Sequence, residues 1–352
     1  MEHPKFSFGL LDLHSRSHKY SDDELEKLAT WLRAVDCRYL RLLPAWKTNL
    51  PYKKGADGLF DWRKKNPIFE SELKRVAHRF RKHGIDIWFD LFDACSNRIE
   101  YPWSWWLHNK QGIHGIYDYS QSAIEHFKYD WIDWLFDILP NKRTLWGLGN
   151  ELQIGNDDNP PAINEWCLKW LIPIAQYLIE KGARRPLYYS AGMKPGGTQN
   201  HIAGWLSDEV PEAGFKATDT VAIVHGIGTA KMWQKNIVDK NILSARRLYG
   251  ISDDGVGCNA ETTVPPECKG NCETDDGQRC KANSKCRTEA VKAVKATLKP
   301  NPVCPQERLV MVEFLPAEIA MDYRHIINDL DFKASIEIYA KIRREIYGER
   351  FA

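Results

Sequence analysis

The sequence predicts a (β/α)8 barrel that occupies residues 1–352 as a single domain, with a Cys-rich insertion late in the chain. Short apolar segments alternate with amphipathic segments, which is typical of parallel strands joined by helical crossovers. Eight such repeats can be counted, and eight parallel strands close a barrel. The length suits one barrel with insertions, and no linker rich in Gly and Ser divides the chain. No GxGxxG motif follows the first strand, so a dinucleotide fold has no support.

The first half of the chain supplies four predicted strands. They are the apolar segments 6–13, 38–44, 85–91 and 145–152. The helices between them are predicted at 21–35, 67–83 and 122–139. A capping box of Ser21 and Glu24 starts the first helix, and Gly84 ends the second. Long loops rich in aromatic residues follow the second and third strands.

The second half allows two strand counts. A helix at 160–181 and strands at 185–190 and 220–225 are common to both. The preferred count continues with a seventh strand at 247–252 and an eighth at 308–313, and it completes the helices at 199–210, 232–243, 288–298 and 331–347. The alternative omits 247–252 and makes 308–313 the seventh strand. That count leaves the barrel open and exposes strand edges.

The cysteines cluster in the predicted insertion at 256–287, which holds five of the nine, and Cys304 follows it. The spacings Cys268-x3-Cys272 and Cys280-x5-Cys286 differ from the CxxC pairs of zinc ribbons. We therefore favour disulfides over zinc, and with them a disulfide-permissive, extracellular setting. The N-terminal residues lack the apolar region of a signal peptide. Buried thiols are expected at Cys37, Cys95 and Cys167.

Composition limits the classes of partner. A net charge of +2 gives no electrostatic footprint for nucleic acid. No apolar run approaches the ~20 residues that span a membrane. No cofactor is indicated, and the oligomeric state stays open. No metal is predicted either, because the segment with His14 and His18 lacks the His-x-His spacing of metal-dependent barrel hydrolases.

Polar residues collect at the predicted strand ends, which share one rim of a barrel. They are Asp12, His14, Arg41, Asp90, Asp93, Asn150, Glu151, Ser190, His225, Asp253, Asp254 and Glu313. Paired carboxylates are the minimum equipment for glycoside hydrolysis. Trp faces suit the apolar faces of sugar rings, and Trp46 and Trp103 lie in the loops beside this rim. The expected partner is therefore a carbohydrate.

The motif Gly149-Asn150-Glu151, placed at the end of the fourth strand, resembles clan A of the glycoside hydrolases, a superfamily of retaining (β/α)8 glycosidases. The resemblance implies that Glu151 is the acid/base and that Asn150 contacts the sugar 2-hydroxyl. Two further positions match: Arg41 inside the second strand, near the nucleophile in that clan, and His225 after the sixth. The resemblance covers residues 6–347 apart from the Cys-rich insertion.

The nucleophile is where the sequence departs from that clan, which uses a Glu at the end of the seventh strand. In the preferred strand count this place holds Asp253, whose side chain is one methylene shorter. Glu313 is the right residue type but ends the eighth strand, and it becomes the nucleophile if the count is off by one. Both candidates stay open.

The expected function is hydrolysis of an oligo- or polysaccharide by two carboxylates, and the long loops favour polysaccharide degradation. Two alternatives remain. A non-catalytic carbohydrate-binding barrel would keep the Trp residues but place no carboxylate opposite Glu151. A metal-dependent hydrolase would use His14 or His225 as a ligand.

Two local features allow contrasting interpretations. The run Trp103-Ser-Trp-Trp106 fits either a sugar-stacking wall or a hydrophobic plug beneath a loop. The period of two along a strand predicts that Asp90 and Asp93 do not both reach the rim.

Overall fold

Eight parallel strands close into a barrel in the computed structural model. The model describes residues 5–9, 13–34, 37–44, 48–93, 96–97, 99–150, 165–183, 187–191, 220–224, 249–253 and 309–313. The barrel strands are β1 (Lys5–Gly9), β2 (Cys37–Leu42), β3 (Asp86–Asp90), β4 (Thr144–Gly147), β5 (Leu187–Ala191), β6 (Thr220–Val224), β7 (Tyr249–Asp253) and β8 (Leu309–Glu313). For β1 and β5 to β8 the backbone alone is described.

Each strand pairs with its neighbours in chain order, and β1 pairs with β8 to complete the circle. Strand β7 lies between β6 and β8, so the preferred strand count is confirmed. The predicted closed barrel of eight parallel strands is confirmed with it. The Cys-rich insertion at 256–287 and the four predicted helices from residue 199 onward lie outside the described residues.

Helices follow the strands on the outside of the barrel. They are α1 (Leu13–Arg16), α2 (Asp22–Ala34), α3 (Pro67–Lys82), α4 (Gln121–Glu125), α5 (Asp133–Ile138) and α6 (Ile172–Glu180). A π-helical stretch, His126–Ile132, joins α4 to α5, and another, Cys167–Leu171, leads into α6. The predicted first strand is too long, because β1 stops at Gly9 and α1 begins at Leu13.

Local signals account for two helix ends. The backbone N–H of Ser21 donates to Glu24 Oε2 (2.8 Å), and the N–H of Glu24 donates to Ser21 Oγ (3.2 Å), which confirms the capping box. Gly84, after α3, has φ of 73°, a left-handed conformation that glycine adopts without steric cost. The helix therefore ends where the sequence predicts.

The loop predicted after β2 contains a two-stranded antiparallel hairpin, formed by Tyr52–Lys54 and Phe60–Lys65. Its rings pack into an aromatic cluster on the outer side of the barrel. Within that cluster Tyr52 stacks on Trp62, with ring centroids 5.1 Å apart, and Trp62 lies 5.2 Å from Trp105. Nine tryptophans of the described part are buried: Trp62, Trp88, Trp105, Trp106, Trp131, Trp134, Trp146, Trp166 and Trp170. Most of the tryptophan surplus therefore builds the core and not a sugar-binding surface.

Two further expectations can be compared with the described residues. Cys37 is buried, and its thiol donates to the carbonyl oxygen of Tyr39 (3.2 Å). No described helix combines the length and the apolar character that crossing a membrane requires.

Candidate active site

Four buried polar side chains form one hydrogen-bonded series at the carboxyl ends of β2, β3 and β4. We call Asp90, Arg41, Asn150 and Asp93 the polar chain. Arg41 Nε donates to Asp90 Oδ2 (2.8 Å), and Arg41 Nη2 lies 2.5 Å from the same oxygen. Arg41 Nη2 also donates to Asn150 Oδ1 (2.9 Å), and Asn150 Nδ2 donates to Asp93 Oδ1 (2.9 Å). None of the four is more than 3% exposed.

The strand register brings Arg41 and Asp90 together. Arg41 is aligned with Trp88, so Asp90 lies two residues further along β3 on the same face of the sheet. The Trp88 indole N–H donates to Asp90 Oδ1 (2.9 Å), and the Arg41 guanidinium lies 5.0 Å from the centre of the Trp88 ring. The carboxylate of Asp90 is therefore held from two sides.

Gly147 of β4 makes room for this carboxylate. It is aligned with Asp90, and a Cβ atom built on Gly147 would lie only 1.6 Å from Asp90 Oδ1. Any side chain at position 147 would occupy the space that the Asp90 carboxylate fills. The glycine is thus a requirement of the polar chain.

The second half of the polar chain is fixed by the loop after β3. The Asn150 N–H donates to the carbonyl oxygen of Phe92 (2.8 Å), which sets Asn150 beside Asp93. Asp93 Oδ2 accepts from the N–H of Ser96 (2.9 Å), whose hydroxyl accepts from the indole N–H of Trp106 (3.2 Å). Asp93 thus ties Asn150 to the aromatic core, which gives it a positioning role.

The prediction that Asp90 and Asp93 do not both reach the rim is wrong, because both belong to the polar chain. Strict alternation stops where β3 ends at Asp90. Phe92 packs against Trp170 and Trp106, with ring centroids 4.7 and 5.2 Å apart. With Phe92 in the outer aromatic core, the following residue returns to the polar chain.

The polar chain joins one buried guanidinium to two buried carboxyl side chains, one directly and one through Asn150. The orientation of the Asn150 amide follows from its neighbours. Its oxygen must face the donor Arg41, and its nitrogen must face the acceptor Asp93. An amide nitrogen carries two N–H donors, so its capacity extends beyond the bond to Asp93.

The predicted carboxylates are placed only in part. Glu151 directly follows Asn150 and lies outside the described residues, as do His225 and Trp46. The backbone of Asp253 ends β7, and that of Glu313 ends β8. Gly9 is aligned with both Glu313 and Arg41, whereas Asp253 is aligned with Val312. Aligned residues share a pleat position, so Glu313 has that of Arg41 and Asp253 the opposite one.

The run from Trp103 to Trp106 was expected to be either a sugar-stacking wall or a hydrophobic plug, and its rings differ in this respect. Trp105 and Trp106 are buried in the core, as a plug would be. Trp103 is half-buried and stacks on Tyr101, with ring centroids 4.8 Å apart and planes inclined by 19°. Trp103 is therefore the ring of this run that a ligand can approach.

His14 is not a rim residue. Its ring lies between Phe69 and Phe89, with centroid distances of 5.5 and 5.9 Å, and neither ring nitrogen has a hydrogen-bond partner. Complete burial lowers the pKa of His14 to about 3. No group of three or more His, Cys, Asp or Glu side chains in the described part is arranged to hold a metal ion.

Three of the predicted site residues, Arg41, Asn150 and Asp93, lie together in the structure. The sequence analysis placed Asp90 at the rim but assigned it no role in the site, although Asp90 is the main partner of Arg41. The signal that identifies Asp90 is the charge balance, since a buried Arg requires a carboxylate. Gly147, opposite Asp90, also escaped notice because a glycine in a strand has several explanations.

Solved structures with the same fold include several glycosidases. Dispersin B has a TM-score of 0.55 and 12% identity, over 96% of this chain and 98% of its own. GH5_18 from Streptomyces cattleya in complex with GlcNAc has a TM-score of 0.54 and 14% identity, over 99% and 82%. An endo-1,4-beta-D-mannanase from Thermotoga petrophila RKU-1 has a TM-score of 0.51 and 13% identity, over 97% and 99%. The chain shares their barrel fold.

No protein-family model and no curated relative matches the sequence.

Proposed function

We propose that this chain is a glycoside hydrolase that cleaves an oligo- or polysaccharide by a retaining mechanism, with Glu151 as the acid/base. The observation that carries the proposal is the polar chain at the carboxyl ends of β2 to β4. It fixes Asn150, and Glu151 is the next residue along the backbone. Catalytic groups of (β/α)8 enzymes occupy this end of the barrel. The glycosidases that share the fold support the same reaction class.

The polar chain contains two carboxyl side chains, those of Asp90 and Asp93, and Glu151 directly follows its Asn150 in the sequence. A carboxyl close to negative charge keeps its proton to a higher pH. In the first step the Glu151 carboxyl gives its proton to the glycosidic oxygen as the bond to the anomeric carbon breaks. In the second step the Glu151 carboxylate takes a proton from the water molecule that attacks the same carbon.

Glu313 is the preferred nucleophile, although Asp253 is the residue that ends the seventh strand. Support comes from the register, because Gly9 is aligned with Glu313 on one side and with Arg41 on the other. Asp253 has the opposite pleat position. The Glu313 carboxylate would form an ester with the anomeric carbon, and water would then cleave that ester with retention of configuration.

The remaining predicted residues are assigned to the substrate. Asn150 would donate its second amide N–H to the sugar 2-hydroxyl, and Arg41 would fix Asn150 while adding positive charge near the nucleophile. His225 would contact the sugar, and Trp46 and Trp103 would stack on further rings. Asp93 was predicted to bind substrate, but its hydrogen bonds favour a role in positioning Asn150.

We also propose that the insertion at 256–287 is cross-linked by disulfides, in keeping with its cysteine spacing. This would go with a disulfide-permissive, extracellular setting.

The proposal is tested by digestion of a glycan panel with the wild type and with Glu151→Gln, Glu313→Gln and Asp253→Asn. Loss of a general acid or a nucleophile lowers kcat by about 10²-fold or more. We expect such losses for Glu151→Gln and Glu313→Gln, with Asp253→Asn close to the wild type. Circular dichroism of each variant checks that the fold is intact.

Three outcomes would contradict the assignment. Unchanged hydrolysis by Glu151→Gln would remove the acid/base. A loss confined to Asp253→Asn would transfer the nucleophile to β7. Glycan binding by the wild type without any hydrolysis would replace the enzyme with the carbohydrate-binding barrel. The configuration of the first product, followed by ¹H NMR, separates retention from inversion.

A further inference from the structure

A concave pocket of about 490 Å³ opens at the amino-terminal ends of β3 and β4, at the opposite end of the barrel from the polar chain. One wall is the carboxyl-terminal half of α3, and the other is the segment 138–143. The volume is within the range of small-molecule sites, about 300–1,000 Å³. The pocket is separate from the proposed active site because the two lie at opposite ends of the strands.

Of the seven described residues that line the pocket, five are basic: Lys74, His78, Arg81, Lys82 and Arg143. The four on α3 follow a spacing of i, i+4, i+7 and i+8, so they share one face of the helix. The other two lining residues, Ile138 and Pro140, are apolar. Among the described residues no carboxylate lines the pocket, although acidic residues flank it.

Hydrogen bonds fix the deeper part of this basic surface. Arg81 Nη2 donates to Thr144 Oγ1 (3.0 Å) and to the carbonyl oxygen of Arg143 (3.1 Å). Arg143 Nε donates to Asp86 Oδ1 (2.6 Å). Burial, together with the charge of Arg143, lowers the pKa of Arg81 to about 10. The two guanidinium groups are thus held near each other at an electrostatic cost that a bound anion would reduce.

The outer cations have carboxylate partners in water. Lys74 Nζ lies 2.6 Å from Glu70 Oε1, and Lys82 Nζ lies 3.6 Å from Glu26 Oε1. Exposed pairs of this kind contribute little and exchange readily for another anion. Cations in the last turn of α3 also offset the helix dipole, but this accounts for neither Lys74 nor Arg143.

We propose that this pocket binds a tetrahedral oxyanion, a phosphate or sulfate ester. Guanidinium groups bind such oxygens with paired hydrogen bonds, and ammonium groups add point charges at the rim. The organic part of the ester would rest on Ile138 and Pro140. The site is independent of the proposed glycosidase activity.

The test is isothermal titration of the full chain with inorganic phosphate and with sulfate, at constant ionic strength maintained with chloride. Saturable binding of one or both oxyanions is expected, and the two titrations distinguish phosphate from sulfate recognition. The double variant Lys74→Gln/His78→Gln should bind at least about tenfold more weakly, since loss of the charged hydrogen bond from Lys74 alone costs that much.

Lys64→Gln is the matched control, because Lys64 is an exposed lysine on the hairpin that does not line the pocket. It should bind as the wild type does, and so should Glu151→Gln, whose loss of hydrolysis concerns the other end of the barrel. The proposal is overturned if neither oxyanion binds, or if Lys64→Gln weakens binding as much as the double variant.

Discussion

At the scale of single residues, the polar chain depends on groups that satisfy one another. The fold tolerates the buried charge of Arg41 because Asp90 and Asn150 accept its hydrogen bonds, and loss of these partners would be strongly destabilising. Asp90 in turn needs the empty volume at Gly147. Gly147 and the Asp90–Arg41 ion pair therefore form a single structural unit.

This dependence predicts the effect of Gly147→Ala. The added methyl group would meet Asp90 Oδ1 at 1.6 Å and Trp88 Nε1 at 2.8 Å, so the carboxylate must move away from Arg41. We expect a loss of about 1–3 kcal/mol in the free energy of unfolding, as for other overpacked core sites. Glycan hydrolysis should fall as well, because Asn150 loses its fixed partner. Urea unfolding and kcat/KM measure the two effects.

Gly112→Ala is the control for this substitution. Gly112 has φ of 72° and open space around it, so alanine there brings backbone strain of about 1–2 kcal/mol without touching the site. Its hydrolysis should equal that of the wild type. If Gly147→Ala is as stable and active as the wild type, the tight contact with Asp90 is wrong.

The residue types of the site were predictable, but their connections were not. Arg41 and Asn150 were identified from their places in the strand order, and the structure joins them directly. The presence of both Asp90 and Asp93 in the polar chain could not be predicted from the alternation of side chains along a strand. It depends on Phe92 leaving the regular pleat for the aromatic core, which is a tertiary packing choice.

At the scale of elements, α1, α3 and β3 meet around His14. The ring is enclosed by Phe69 of α3 and Phe89 of β3, in an apolar contact that offers no hydrogen bond. A histidine here is stable only while neutral. The packing of the three elements is therefore sensitive to acid.

The folded state keeps His14 neutral down to about pH 3, whereas an unfolded histidine takes up a proton near its ordinary value of 6.5. Between these two pH values the unfolded chain binds more protons than the folded chain. The part of the folding stability that depends on neutral His14 is therefore fully present above pH 6.5 and is lost as the pH falls. The slope is at most about 1.4 kcal/mol per pH unit. We expect His14→Leu to remove this component from the free energy of urea unfolding between pH 4 and 7.

His114→Gln provides the comparison, because it removes an exposed histidine that takes no part in the packing around His14. An identical slope for wild type and His14→Leu would mean that His14 is solvated or hydrogen-bonded in the folded protein.

Element boundaries followed the local signals closely, since the capping box and Gly84 act within a few residues. The hairpin of Tyr52–Lys54 and Phe60–Lys65 was missed because its strands are short and polar on one side. They gain stability from rings distant in sequence, such as Trp105 and Trp131. The same packing explains why a predicted sugar-binding belt of Trp is mostly core.

At the scale of the whole molecule, closure of the barrel fixes the places of Asp253 and Glu313 in the strand order. With β7 between β6 and β8, every strand has two partners and Glu313 ends the eighth strand beside Gly9. Without β7, the barrel would have two open edges, and 309–313 would take the seventh place. The strand count therefore decides which of the two residues ends the seventh strand.

Amide hydrogen exchange tests this strand count. In the closed barrel the amides of Tyr249–Asp253 and Leu309–Glu313 lie in strands paired on both sides, so their exchange should be as slow as that of β2 and β3. Amides near Gly58, at the exposed turn of the hairpin, supply the fast reference within the same protein. Rapid exchange throughout 249–253, with slow exchange at 309–313, would mean that the seventh strand is 309–313. Glu313 would then end the seventh strand, where the clan A pattern has its nucleophile, and Asp253 would no longer be a candidate.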